Sequence, residues 1–179
     1  DIKNYSPDFI LYFSGNSQST YQINSWIKSL EKIKFNFLIL LRERHHFKNL
    51  YKTKIPAIFL NTTLDIEKIS LIKSIKGSLY VSNVGKNIHL IRYNKIKHIF
   101  IGHGDSDKSG SANNLMKLYD YMFVAGQAHI DRMIKQNIYV PNNYFFKIGR
   151  PQLEGSIKHE NSKNKQKNTN ILYAPTWEG

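Results

Sequence analysis

An α/β fold built on a doubly wound, mostly parallel sheet is predicted by three features of the sequence. Short continuous apolar runs recur along most of its length, segments with helical spacing lie between them, and polar turns separate the two. Strands covered on both faces, as parallel strands are, read as unbroken apolar runs rather than alternating ones. Strand alternating with helix then favours crossover connections and a parallel sheet.

The first run is Phe9–Phe13. Ser14-Gly15-Asn16-Ser17 follows it as a strand-to-helix turn whose backbone N–H groups can meet a ligand. It lacks the full glycine fingerprint of a dinucleotide site and reads first as a plain turn. Ile23, Trp26, Ile27, Leu30 and Ile33 recur at spacings of three and four, which predicts a helix burying all five, with Ser17 and Ser19 as caps at its start. The second strand is Phe37–Leu41. The run Arg42-Glu43-Arg44-His45-His46 behind it can bind an anionic acceptor, but reads first as a solvated strand-to-helix turn. Ala57–Leu60 is the third strand, and a helix from about Leu64 to Ile75 is expected to close at Gly77, glycine being the residue suited to the left-handed helix end. Strands at Leu79–Val81, His98–Ile101 and Tyr121–Val124 come next. A helix from about Gln127 to Gln136 is expected to turn Ile130, Met133 and Ile134 inward, and Tyr144–Ile148 is a further strand.

From Glu154 to Asn170 the composition changes to Ser, Lys, Asn, Gln and Glu with one apolar residue, Ile157, as in a solvated connector. Beyond it stands a single strand, Ile171–Tyr173, leading into Ala174-Pro175-Thr176-Trp177. One strand cannot form a core. The expected organisation is therefore one α/β domain over 1–153, a polar linker over 154–170, and the first strand of a second domain over 171–179, with the natural chain continuing.

A chain of 179 residues can bury roughly two thirds of the surface its unfolded form exposes, enough for one sizeable core. Hydrophobic residues at 41% and aromatic residues at 13% exclude a disordered chain, and no apolar run is long enough to span a bilayer. No basic stretch followed by an apolar one opens the sequence, so no signal peptide is visible. The absence of cysteine excludes disulfides and thiolate metal sites. The net charge of +13 suits an anionic partner, either a membrane surface or a phosphate-rich polymer. Nucleic acid is not expected, since no aromatic RNA-binding strand, zinc finger or recognition helix is present.

The densest polar cluster is Gly102-His103-Gly104-Asp105-Ser106-Asp107-Lys108-Ser109-Gly110-Ser111, directly after the strand ending at Ile101. Open α/β sheets gather ligands at the carboxyl ends of their strands. The glycines flanking His103 allow a sharp turn and close access to the imidazole, which near its free pKa of about 6.5 is the usual general base. Asp105 or Asp107 is placed to orient it, and Lys108 to meet a phosphate. The same residues also suit a polar turn whose Asp and Ser side chains satisfy backbone donors. His89, His98, His129 and His159 stand in no pattern, and His129, on a helix, is expected to matter little. No His-Glu-x-x-His or comparable spacing points to a protein metal site. The spacing of Asp105 and Asp107 leaves magnesium open without requiring it, and no other cofactor is called for.

Three segments taken in order resemble the CDP-glycerol glycerophosphotransferase family, which builds teichoic acids and related capsular polymers. They are His103-Gly104-Asp105-Ser106-Asp107-Lys108, Tyr119-Asp120-Tyr121-Met122-Phe123-Val124-Ala125-Gly126, and Ile148-Gly149-Arg150-Pro151-Gln152 followed by Ile171-Leu172-Tyr173-Ala174-Pro175-Thr176-Trp177. The likeness covers about residues 98 to 179. It implies a GT-B-type enzyme in which two Rossmann-like domains face one cleft, this chain being the N-terminal, acceptor-side domain. The family's acceptor-activating base falls on His103. Substrate contacts are expected from Gly104, Asp105, Ser106, Asp107, Lys108, Arg150 and Thr176, and from Ser14, Gly15 and Asn16 at the first turn. The implied reaction moves glycerol phosphate or ribitol phosphate from a CDP-linked donor to a hydroxyl of a surface glycopolymer or lipid-linked acceptor. The implied location is the bacterial cytoplasm, at the inner face of the membrane. The familiar teichoic-acid members have Thr after His-Gly where Asp105 stands here. The rival readings are a GT-B glycosyltransferase or sugar-nucleotide epimerase, and a non-catalytic polymer- or membrane-binding domain.

Overall fold

A computed structural model of the chain describes residues 2–105, 113–154 and 171–173. The elements run α1 (Ile2–Tyr5), β1 (Phe9–Phe13), α2 (Thr20–Leu30), β2 (Phe37–Leu41), α3 (His46–Asn49), β3 (Ala57–Phe59), α4 (Thr63–Ser70), β4 (Gly77–Tyr80), α5 (Ile88–Ile91), β5 (Lys97–Phe100), β6 (Tyr121–Val124), α6 (Gln127–Lys135) and β7 (Phe145–Lys147). Single 3-10 turns lie at Gly85–Asn87, Asn114–Leu118 and Pro151–Leu153. The seven strands form one sheet in the order β3-β2-β1-β4-β5-β6-β7, and every pairing is parallel. This is the doubly wound α/β architecture expected from the alternating runs.

The apolar runs of β1 to β6 are buried because each of these strands feeds two cores. Leu11, Phe13, Ile39, Leu41, Leu79 and Ile99 face one side, where Ile23, Trp26, Ile27 and Leu30 of α2 cover them. Ile10, Tyr12, Leu40, Tyr80, Phe100 and Met122 face the other, against Ile66 and Ile69 of α4, Leu90 of α5 and Met133 of α6. Burying an apolar side chain of this size contributes roughly 1.5–3 kcal/mol. For an 11-residue helix such as α2, marginal by itself, that packing decides its stability.

Several helix ends differ from expectation. Helix α2 stops at Leu30, so Ile33 lies past it and is 46% exposed. Ser19 takes the N-cap position, but its hydroxyl donates to Asn16 O (2.7 Å) instead of accepting from a helical N–H. Helix α4 begins with a capping box between Thr62 and Asp65 and ends at Ser70, five residues before the expected Ile75. Gly77 does not close it; it opens β4. A Cβ there would meet Lys97 O at 2.9 Å, so glycine is needed for the close approach of β4 to β5, not for a helix end. In α6 the inward face is His129 and Met133, with Ile130 packed alongside, while Ile134 is 63% exposed. Ile171–Tyr173, expected as a strand, pair with no strand among the described residues and are at least 86% exposed.

The chain order sets the place of the crevice. After β1 it moves outward to β2 and β3, then returns to lay β4 on the other side of β1. The connections leaving β1 and β4 therefore diverge at their carboxyl ends, which opens a crevice between them.

Candidate functional site

The loop after β5 crosses that crevice. Ile101 and Gly102 donate their N–H groups to Tyr80 O at 2.9 and 3.2 Å, which extends the β4–β5 ladder past the strand ends. Gly102 then turns at φ +62, a left-handed conformation that favours glycine. Its carbonyl accepts the indole N–H of Trp26 from α2, so the core helix pins the loop. These restraints place His103 above the end of β4, where its Nδ1 lies 2.8 Å from Val81 O. A carbonyl can only accept, so Nδ1 carries the proton and Nε2 keeps its lone pair. The side chain is exposed, and the edge of the Tyr21 ring stands against it at 5.9 Å.

Asp105 does not orient His103. Its carboxylate accepts from Arg132 Nη2 and lies 3.5 Å from His129 Nδ1, both on α6. The backbone carbonyl of Val81 orients the imidazole instead, because the loop's turn at Gly102 brings His103 back over β4 and sends Asp105 forward to α6. Asp105 thus ties the far end of the loop to the helix after β6. His129, set aside in the sequence, is 6% exposed and part of this tie. Ser106, Asp107, Lys108 and Thr176 lie outside the described residues.

Arg150 comes from the turn after β7, where Gly149 adopts φ +71. It lines a small cavity shared with Gly102, Gly104, Asp105, His129 and Gln152, of about 20 Å³, little more than a water's room. Arg150 Nε and Gln152 Oε1 are buried with no hydrogen-bond partner. Buried polar atoms are normally satisfied, so these two mark a place where a polar ligand would be welcome.

The first turn is engaged internally. The Ser14 hydroxyl donates to Asn87 Oδ1 (2.9 Å), the Gly15 carbonyl accepts from His46 Nε2 (3.1 Å), and Asn16 O accepts from Ser19. A Cβ on Gly15 would lie 2.3 Å from Ser19 Oγ and 2.7 Å from the Phe13 ring. Gly15 is thus required by packing, and the Ser14 hydroxyl and the Gly15 and Asn16 carbonyls serve internal hydrogen bonds, as in a plain turn. His46 is likewise no solvated residue. It is fully buried, accepts the Thr20 hydroxyl at Nδ1 (2.8 Å), and is held neutral, burial pushing its pKa below the ordinary value. His98 repeats the pattern, taking the Tyr80 hydroxyl at Nδ1 (2.9 Å) and donating from Nε2 to Tyr93 O (3.1 Å), with its pKa also lowered by burial.

Beneath His103 runs a polar network that no sequence pattern revealed. Asn87 donates to Ser82 O (2.7 Å) and to the Tyr119 hydroxyl (2.9 Å), which in turn donates to Asn83 Oδ1 (3.1 Å). Burial raises the Tyr119 pKa to about 12, so it stays a neutral donor. The network stiffens the end of β4 that presents Val81 O. Asparagine in a loop carries no periodic signal, so only the fold brings Tyr119, ahead of β6, against the loop that follows β4.

No family model matches the chain, and no curated protein matches it either. Among solved structures its fold is similar to that of UDP-N-acetylglucosamine 2-epimerase from Rickettsia bellii, with a TM-score of 0.52 and 11% sequence identity. The match covers 85% of this chain and 48% of that one, so the chain spans about half the length of that structure. At this identity the likeness shows the fold alone, a Rossmann-like α/β domain of the GT-B type. Among the described residues no helix is long and apolar enough to cross a membrane, and no group of three or more acidic or histidine side chains converges to hold a metal.

Proposed function

We propose that this chain is the acceptor-side domain of a transferase that moves a polyol phosphate, glycerol or ribitol phosphate, from a CDP-linked donor to a hydroxyl of a growing surface glycopolymer. The observation that carries the reading is the His103 arrangement: Nδ1–H bound to Val81 O at 2.8 Å, and Nε2 left as an open base at the carboxyl end of the sheet. The ordered His-Gly, Gly-Arg-Pro and Tyr-Ala-Pro-Thr-Trp segments supply the substrate class, and the GT-B-type fold is compatible with it.

The acceptor oxygen attacks the phosphorus bonded to the polyol while Nε2 of His103 takes its proton. The bond from that phosphorus to the bridging oxygen breaks, and CMP leaves with the electron pair. Negative charge builds on the transferred phosphoryl group, and Arg150, whose Nε lacks a partner, is the described cation best placed to offset it. The donor is held by a second domain, and the net charge of +13 draws the enzyme to the inner, anionic face of the membrane where such polymers are assembled.

The test is His103→Ala in the complete enzyme, supplied with CDP-glycerol and acceptor. Loss of a general base lowers the rate by about a hundredfold or more while donor binding persists. Near-parental turnover in a folded His103→Ala protein overturns the mechanism. The fold likeness also admits a sugar-nucleotide epimerase or glycosyltransferase, and turnover of UDP-sugars but never of CDP-polyols would select that reading.

A further inference from the structure

Three successive carbonyls at the exit of β4 are each taken by a different partner. Tyr80 O accepts the N–H groups of Ile101 and Gly102, Val81 O accepts Nδ1–H of His103, and Ser82 O accepts from Asn87 Nδ2 at 2.7 Å. Val81 O lies between the other two, so its direction is set by how firmly they are held. The hold on the far side comes from a chain of side chains whose polarity follows from its fixed end. Asn113 Oδ1 accepts the backbone N–H of Leu115 (3.0 Å), so the group that meets it from Asn83 (3.0 Å) is the donor, Nδ2. Asn83 Oδ1 then faces the Tyr119 hydroxyl (3.1 Å), which donates to it. The hydroxyl oxygen accepts from Asn87 Nδ2 (2.9 Å), and Asn87 Oδ1 accepts the Ser14 hydroxyl (2.9 Å). Each amide and hydroxyl in the chain therefore has one workable orientation, and satisfied polar networks of this kind rigidify the backbone they hold.

Asn83 is the member of the chain that reaches the loop carrying His103. It follows Val81 by two residues, and its Nδ2 meets Asn113 at the start of the 3-10 turn Asn114–Leu118, at the far end of that loop. The exit of β4 thus grips the loop at Ile101 and Gly102, at His103 and again at Asn113. Asn83 is only partly buried, so its removal leaves no large cavity, whereas Asn87 and Tyr119 are 2% and 4% exposed and belong to the core.

We propose that Asn83 is a positioning residue for His103: it fixes the exit of β4 so that Val81 O keeps the ring proton on Nδ1 and leaves Nε2 open. Its importance for turnover rests on the role given to His103 above. Its hold on the ring does not, and is measured separately.

The test follows the His103 ring by nitrogen NMR in the complete protein with labelled histidines, its resonances being assigned by their loss in His103→Ala. In the parent the proton is confined to Nδ1. In folded Asn83→Ala it is expected to be shared between the two ring nitrogens. With CDP-glycerol and acceptor, kcat is expected to fall about threefold to tenfold, the scale of one hydrogen bond, with the donor KM within about twofold of the parent. Tyr119→Phe keeps the ring and removes the hydroxyl linking Asn83 to Asn87, and is expected to move both readouts in the same direction. Thr62→Ala removes the capping box of α4 and lowers stability, yet should keep the parental tautomer and kcat, which separates positioning from stability. A folded Asn83→Ala protein with the proton still confined to Nδ1 overturns the proposal. So does a mixed tautomer in Thr62→Ala, or a mixed tautomer with parental kcat in Asn83→Ala when His103→Ala is impaired. Should Asn83→Ala fail to fold, Tyr119→Phe decides on the same readouts. Parental turnover in His103→Ala removes the base instead, and the tautomer comparison still decides whether Asn83 holds the ring.

Discussion

Replacing Trp26 by Phe tests whether the α2 helix holds the His103 loop. Trp26 is 5% exposed, and its indole N–H is the donor to the buried Gly102 carbonyl. Phenylalanine keeps an aromatic ring in the core and removes that donor, leaving the carbonyl unsatisfied at a cost of roughly 1–3 kcal/mol. The smaller ring also leaves a partial cavity, and the two effects together should destabilise the domain by about 2–3 kcal/mol. For a domain of this size each kcal/mol moves Tm by roughly 2–4 °C, so a fall of about 5–10 °C is expected. Urea unfolding followed by far-UV circular dichroism should show a lower midpoint with an unchanged slope, as befits a change in the folded state. The informative readout is the His103 ring by nitrogen NMR. Its proton should be confined to Nδ1 in the parent and shared between tautomers in the variant, because a released Gly102 lets the Val81 bond loosen. A destabilisation below about 0.5 kcal/mol with the tautomer unchanged would refute the pinning of the loop by α2.

Stability should fall in mild acid. His46 and His98 have folded-state pKa values lowered by burial, so the unfolded chain takes up protons first as pH drops through about 6.5. Their contribution is complete above that pH and is lost below it, at up to about 1.4 kcal/mol per pH unit for each. Urea midpoints between pH 7.5 and 5 measure it, His98→Gln should flatten part of the slope, and a flat parental profile would contradict the neutral assignment. His129→Ala should cost about 1–3 kcal/mol, since the ring is buried beside Asp105. It should also speed proteolysis of the loop after Gly104, and a cost under about 0.5 kcal/mol would make His129 an incidental helix residue.

Strand positions were the most legible part of the sequence. β1, β2 and β6 begin and end where their apolar runs do, because a strand buried on both faces must be apolar throughout and its flanking turns must not be. The parallel class followed from the spacing of those runs. Helix ends were less legible. Ile33 and Ile134 continue the helical spacing without being buried, since burial depends on where the sheet lies beneath the helix. Gly77 reads as a helix stop by local rules, yet serves the contact of β4 with Lys97 O on a strand twenty residues away.

The site divides along the same line. A histidine between glycines after a strand is visible in the sequence, because loop chemistry at a strand's carboxyl end is a local matter. Its hydrogen-bond partner is not, because Val81 O is a backbone atom delivered by the pairing of β4 with β5. The remaining histidines make the point most clearly. Nothing in the sequence marks His46, His98 or His129 as buried, yet Gly15 O, Tyr93 O and Asp105 settle what each one does. Composition and local pattern thus determined which segments become strands and which loop stands at a strand's carboxyl end. The tertiary structure alone decided which polar groups are buried and what satisfies them, because a buried hydrogen bond is made with whatever the fold brings within about 3 Å, at any separation along the chain.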